Sequence, residues 1–304
     1  MFVKALGVIA GGLALGACQT WSGGTSVILY HETAEEFAET CKPWDNWAKP
    51  APSFYVDDDQ VYATSYVGSC GITVLAVRTQ KGVVLIDTGE EVFHDELLRN
   101  LHKFAIDPED VTHILTSHEH YDHVGGLAAM QRATGAKIVT SPAAKPVIES
   151  GELAANDPQF GMHEAMVPAN VWKTVKDGET ITLGGKEFTA VHTPGHTPGA
   201  LTWQWTTYVG QETLTIVYAD SLSPISNTSY RFSDHPDYLQ AYRNGLERLA
   251  ALDCDILMTP HPSASFMLQR APTGSMQNGM TCKEYADAVT RRLDNRLALE
   301  AERK

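Results

Sequence analysis

The sequence predicts an α+β fold in which sheets are covered on the outside by helices. Three observations predict it. Short apolar runs rich in β-branched residues recur along the chain, the mark of buried strands. Between them lie stretches whose apolar residues recur at helical spacing. No low-complexity linker and no internal repeat divides residues 31–304, so one domain is expected there. A chain of 304 residues that is 43% hydrophobic has ample material for its core.

In order, residues 34–40 have a helical pattern, and strands are expected over 60–67, 71–78 and 82–86. Residues 91–104 read as a helix with Phe93, Leu97, Leu98 and Leu101 on one side. A short buried strand over 111–116 hands over to a helix over 126–132. A strand over 137–140 and a helix over 143–150 follow. Residues 151–170, rich in Gly, Asn, Asp and Pro, read as a long loop. Strands return over 179–183, 186–191, 201–206 and 213–218. A helix over 237–252, a strand over 254–259 and a helix over 281–303 complete the pattern. The apolar Ala288, Leu293, Leu297 and Leu299 of that last helix are expected to pack on the core rather than on a second copy, so a monomer is expected.

The formal net charge of −14 argues against a nucleic-acid groove, where phosphate neutralisation needs Lys and Arg. Residues 1–17 read as a signal peptide: Lys4, an apolar run over 5–17 and small residues at its end. The run is too short to span a bilayer comfortably. Leu15-Gly16-Ala17-Cys18 resembles the lipobox of bacterial lipoproteins, which implies a diacylglyceryl group on Cys18. Two or three acyl chains anchor a protein far better than one. Residues 18–30 then form the lipidated cysteine and a tether, and 31–304 a single folded domain. Gln19, in place of Asp, points to the outer membrane, so a periplasmic protein is expected that meets the membrane only through its lipid. An ordinary signal peptide with an incidental Cys18 is the alternative. The other cysteines are Cys41, Cys70, Cys254 and Cys282. An even count in an exported protein suggests two disulfides, with three connectivities open.

The chemistry is concentrated in Ser117-His118-Glu119-His120-Tyr121-Asp122-His123-Val124-Gly125-Gly126. Three imidazoles and a carboxylate of ligand type sit where a strand gives way to a helix. Strand alternation allows His118 and His120 to point the same way, while Asp122 and His123, around the bend, address a second point nearby. Two further histidines follow apolar strands inside turns: His196 in Thr193-Pro194-Gly195-His196-Thr197-Pro198-Gly199, and His261 in Pro260-His261-Pro262. His192 lies within its strand and reads as structural. No cysteine lies among these clusters, which argues against a structural cysteine-type zinc site.

Taken in order, Leu85-Ile86-Asp87-Thr88-Gly89, the His118 cluster, Pro194-Gly195-His196, Ala219-Asp220-Ser221 and His261 resemble the metallo-β-lactamase superfamily over roughly residues 60–265. Tyr218-Ala-Asp-Ser-Leu-Ser-Pro224, Trp47-Ala-Lys-Pro-Ala-Pro52 and the cysteine pair bracketing the C-terminal region resemble its subclass B3. The resemblance implies a four-layer αβ/βα sandwich, two mixed β-sheets packed face to face with helices outside. It also implies the disulfides Cys41–Cys70 and Cys254–Cys282, each closing a loop worth about 3.5 kcal/mol by loop entropy.

Imidazole and carboxylate donors suit zinc. His118, His120 and His196 are assigned to one ion, and Asp122, His123 and His261 to another. Three protein ligands per ion leave positions open for water, the mark of a catalytic site. The implied activity is hydrolysis of the β-lactam amide by a hydroxide shared between two zinc ions, conferring resistance to β-lactam antibiotics, with Asp122 orienting that hydroxide. Asp87 is a candidate acceptor for a ligand imidazole N–H. Ser221 and Ser223 are implied to hold the substrate carboxylate, and Gln159 is a candidate contact from the long loop. Asp220 bridges both metals in hydrolytic relatives such as glyoxalase II and lactonases; here Ser221-Leu222-Ser223-Pro224 follows it in the β-lactamase manner, so it is not expected to bind metal. The alternatives are a lactonase or thioesterase of the same superfamily, and a non-enzymatic zinc-binding envelope lipoprotein.

Overall fold

The computed structural model describes residues 32–42, 48–57, 59 and 61–302. The signal peptide, Cys18, the tether and Trp47 lie outside the described residues.

The first half of the described chain builds one sheet. Helix α1 (Ala34–Cys41) starts at a capping box, Thr33 Oγ1 accepting from the Glu36 amide and Glu36 from the Thr33 amide. Strands β1 (Phe54–Tyr55), β2 (Thr64–Tyr66), β3 (Leu75–Thr79) and β4 (Gly82–Ile86) form an antiparallel meander. From β4 the chain alternates: α2 (His94–Lys103), β5 (Val111–Leu115), α3 (Tyr121–Val124), α4 (Leu127–Thr134), β6 (Lys137–Thr140), α5 (Ala144–Ser150) and β7 (Val171–Thr174). Strands β4 to β7 pair in parallel, giving a seven-stranded mixed sheet in chain order.

The second half builds the other sheet. β8 (Thr180–Leu183), β9 (Lys186–His192), β10 (Leu201–Val209) and β11 (Glu212–Tyr218) are antiparallel. The chain then crosses through α6 (Pro236–Ala250) to β12 (Ile256–Met258), which pairs in parallel with β11. The short α7 (Met267–Arg270) and the long α8 (Cys282–Glu302) follow.

Strand alternation sorts the apolar residues into three cores, and so into four layers. Val84 and Ile86 of β4 face Trp203, Trp205, Ile216 and Tyr218 of the second sheet, while Val83 and Leu85 turn to Leu97, Leu101 and Leu127 of the outer helices. Likewise Ile256 and Met258 face inward, and Leu257 with Val217 packs on Leu246, Leu249, Val289 and Leu293 of α6 and α8. This is the expected αβ/βα sandwich. Both local disulfides are formed, Cys41–Cys70 and Cys254–Cys282.

Some boundaries differ from expectation. The strand placed over 60–67 starts only at Thr64, because the Asp59 side chain accepts from the amides of Val61 and Tyr62 and folds a turn there. Residues 71–74 are likewise outside β3, taken up by a turn closed by Ser69 N to Ile72 O at 2.9 Å. Two short strands were not expected. β1 is two residues long, and β7 is an edge strand without a buried face, its Trp172 half exposed. Neither leaves a periodic signature. The buried face of α2 also includes Asn100, whose amide donates to Val67 O.

Candidate metal centre

The segments that follow β4, β5, β9, β11 and β12 meet at one edge of the sandwich. β5 ends at Leu115, so His118 and His120 lie, as expected, on the turn between strand and helix. The loop is fastened at its start. Asp87 Oδ1 accepts from Ser117 N and Oδ2 from Ser117 Oγ, both at 2.7 Å, and Oδ2 also accepts from Tyr218 OH at 2.9 Å. Asp87 holds a positive φ of 62°, which Asp tolerates better than most residues.

Beyond that anchor the imidazoles converge. The ring of His118 lies 5.0 Å from that of His120 and 4.8 Å from that of His196. His120 Nδ1 is 3.2 Å from His196 Nε2. One nitrogen from each of these three buried residues falls within a single 4.8 Å cluster. A second cluster adjoins it. His123 Nε2 lies 3.1 Å from Asp122 Oδ2 and 3.4 Å from His261 Nε2, and His261 Nε2 lies 3.5 Å from the same carboxylate oxygen. The structure thus brings together all six residues that the sequence singled out. His192 stays outside, its Nε2 bonded to Pro198 O at 3.1 Å.

His196 reaches the site because the turn before it can pass a ring. A Cβ on Gly195 would lie 2.3 Å from the Tyr242 side chain, so only glycine fits. Three of the imidazoles are oriented through their other nitrogen. His118 Nδ1 bonds Asp220 Oδ1 at 2.7 Å, His196 Nδ1 donates to Ser223 O at 2.9 Å, and His261 Nδ1 donates to Gly71 O at 3.1 Å. Asp87, expected in such a role, stands 3.5 Å from His123 Nδ1 and spends its close hydrogen bonds on Ser117 and Tyr218. The other oxygen of Asp220 accepts from Leu222 N at 3.3 Å, so this carboxylate orients His118.

Two more buried carboxylates at the site were missed. Glu119 accepts from Thr197 Oγ1 at 2.7 Å and Gly199 N at 2.9 Å, tying the first loop to the turn that carries His196. Asp157 lies 3.3 Å from His120 Nε2. Glu119 sits inside the histidine run but at no ligand position of it, and Asp157 belongs to no pattern. Gln159 is buried, with Nε2 3.4 Å from His196 Nε2 and Oε1 accepting from His163 at 3.1 Å. Ser221 Oγ is buried without a hydrogen-bond partner, and Ser223 Oγ lies 3.4 Å from Ser221 O.

Residues 67–261 match the family described as the metallo-beta-lactamase superfamily. The chain belongs to that superfamily. Among solved metallo-β-lactamases, MIM-2 is 45% identical over 88% of this chain and 98% of its own, with a TM-score of 0.82. MEM-A1, a subclass B3 enzyme from a soil metagenome library, is 33% identical over 85% of this chain and all of its own, with a TM-score of 0.79. A curated N-acyl homoserine lactonase from a Bacillus species is 26% identical over 40% of this chain, which spans 53% of that relative's length.

A donor set of histidines and one carboxylate fits zinc. His118 Nε2 is buried and has no hydrogen-bond partner, although a buried nitrogen lone pair left unpaired is costly. A cation facing His120 Nδ1 and His196 Nε2 would satisfy it. Burial, then the neighbouring imidazoles, holds His118 and His196 well below the ordinary histidine range, so both are neutral donors at pH 7. Burial, reinforced by His123, pushes His261 down to about 4. Burial acts to raise the Asp122 carboxyl, but His123 and then His261 outweigh it and keep Asp122 ionised. Burial likewise acts to lower His123, yet Asp122 and Asp87 raise it to about 10, a proton that a cation at this point would displace.

Proposed function

We propose that this protein is a zinc-dependent hydrolase that opens the β-lactam ring. Water adds across the amide: its oxygen bonds to the carbonyl carbon, the C–N bond breaks, and a proton goes to the ring nitrogen. The observation that carries the reading is the unpartnered, buried His118 Nε2 beside His120 and His196, with Asp122, His123 and His261 adjoining. The 45% identity to MIM-2 over 98% of that metallo-β-lactamase supports the substrate class.

We read His118, His120 and His196 as the ligands of one zinc ion, and Asp122, His123 and His261 as those of a second. Bound zinc supplies a Lewis acid for the carbonyl oxygen and lowers the pKa of water toward neutrality. The protein's own residues do the rest. Asp122, held ionised, accepts a hydrogen bond from the attacking water and aims it. Ser221 Oγ, which has no partner in the resting site, and Ser223 Oγ donate to the substrate carboxylate. Gln159 Nε2 donates from above. Burial of the donors strengthens these interactions over their worth in water.

Purified protein should hydrolyse a chromogenic cephalosporin, lose that activity to a chelator and regain it with zinc. Absence of turnover in the zinc-loaded protein would refute the proposal. The lactonase match favours a second reading, hydrolysis of lactones or thioesters. Commitment of Asp220 to His118 and the Leu222 amide weighs against it. Lactone turnover without β-lactam turnover would reverse the choice.

We also infer export, with lipidation of Cys18 placing a monomeric enzyme on the periplasmic face of the outer membrane. Cys18→Ser should move the protein from the membrane fraction to the soluble one.

A further inference from the structure

We propose that Asp157, from the long loop after α5, is the positioning residue that selects which nitrogen of His120 faces the metal. The inference rests on the functional reading above and adds a residue to it. His118 and His196 present Nε2 to the cluster, but His120 presents Nδ1, 3.2 Å from His196 Nε2. The reason lies on the far side of the ring. Both oxygens of Asp157 lie 3.3 Å from His120 Nε2. A hydrogen-bond acceptor there favours the tautomer that carries its proton on Nε2, which leaves the Nδ1 lone pair for a cation.

Asp157 is built to hold this place. It is 1% exposed. Its amide donates to Ala154 O at 2.9 Å, Oδ1 accepts from Gln159 N at 2.7 Å, and its carbonyl accepts from Phe160 N at 3.0 Å. The loop is pinned in turn by Asn227, whose backbone amide donates to Pro158 O at 2.8 Å and whose side chain donates to Phe160 O at 3.0 Å. The segment that carries Gln159 over the site is therefore also the one that orients a metal-facing imidazole.

Two measurements on the whole protein test this. Metal-free wild type, Asp157→Asn and Asp157→Ala are titrated with zinc against a chromogenic chelator. Loss of the carboxylate should weaken the tighter site by about 10- to 100-fold in Asp157→Ala, the usual cost of removing an outer partner. Asp157→Asn, which keeps one acceptor, should lose less. Long-range 1H–15N spectra of histidine-labelled metal-free wild type should show the His120 proton on Nε2, and in Asp157→Ala should show it shared between the two nitrogens. Equal zinc affinity in wild type and Asp157→Ala, or a proton on Nδ1 in wild type, overturns the inference while leaving β-lactam turnover by wild type standing. Failure of wild type to bind zinc overturns both readings. The wild-type spectrum decides the matter even if neither variant folds.

Discussion

His118 carries two roles at opposite ends of one ring. Nε2 faces the cluster without a partner, and Nδ1 is held by Asp220 at 2.7 Å. Replacing either end should act on the same site by different amounts. His118→Ala removes a donor and should abolish zinc uptake at the three-histidine cluster. Asp220→Asn keeps the volume and one acceptor but loses an oxygen from the pair that holds His118 Nδ1 and the Leu222 amide, and should weaken that uptake by roughly 10- to 100-fold. Isothermal titration with zinc separates the two, and an unchanged first site in His118→Ala would remove it from the ligand set. At this scale the sequence was informative for groups whose spacing is unusual. His-x-His-x-Asp-His has few uses besides metal binding, whereas Asp157 and Glu119 are ordinary acids whose role appears only once distant loops are adjacent. Asp87 stands between the two cases. The sequence placed it beside the site, and the structure puts it 3.5 Å from His123 Nδ1 and adds a brace on Ser117 that no pattern announced.

At the scale of elements, the long apolar strands and helices were legible because their periodicity reflects which face is buried. β1 and β7, too short or too exposed to show a period, were not. The helix least tied to the site by sequence turns out to brace it. α8 starts at the disulfide-bonded Cys282, and one turn on, Tyr285 OH donates to Asp220 O at 3.0 Å and Ser221 O at 2.6 Å. Next to these carbonyls Leu222 is held at a φ of 48°, a conformation that a leucine adopts only under constraint. Tyr242 OH from α6 donates to Leu222 O. Two outer helices thus fix the segment that carries Ser221 and Ser223. Tyr285→Phe should destabilise the fold by about 1 kcal/mol for the lost hydrogen bonds. If the bracing reaches the substrate contacts, it should also raise KM for a cephalosporin more than it lowers kcat. A stability loss with unchanged KM would confine Tyr285 to the core.

For the molecule as a whole, the centre joins its two halves. His118, His120, Asp122 and His123 come from the first sheet's connections, and His196 and His261 from the second's. Cation binding therefore stabilises the sandwich by mass action, and removing it leaves buried imidazoles that resist protonation. His261 makes the metal-free fold sensitive to acid. Its folded pKa is about 4, against about 6.5 for an unfolded histidine. Above pH 6.5 both states are neutral there and the native contribution is fully present. As pH falls from 6.5 to 4 the unfolded chain gains a proton that the folded protein refuses, so stability is lost at about 1.4 kcal/mol per pH unit. His123, raised to about 10, is present in wild type and in a His261 variant alike, so its own titration is common to both. In the metal-free protein, wild type should therefore lose up to roughly 3 kcal/mol between pH 7 and 4 that His261→Gln, which has no such proton to refuse, does not lose. Urea denaturation of both proteins at pH 7, 5.5 and 4 measures the difference directly. A gap between them that stays constant with pH would mean that His261 protonates as easily in the fold as in the open chain.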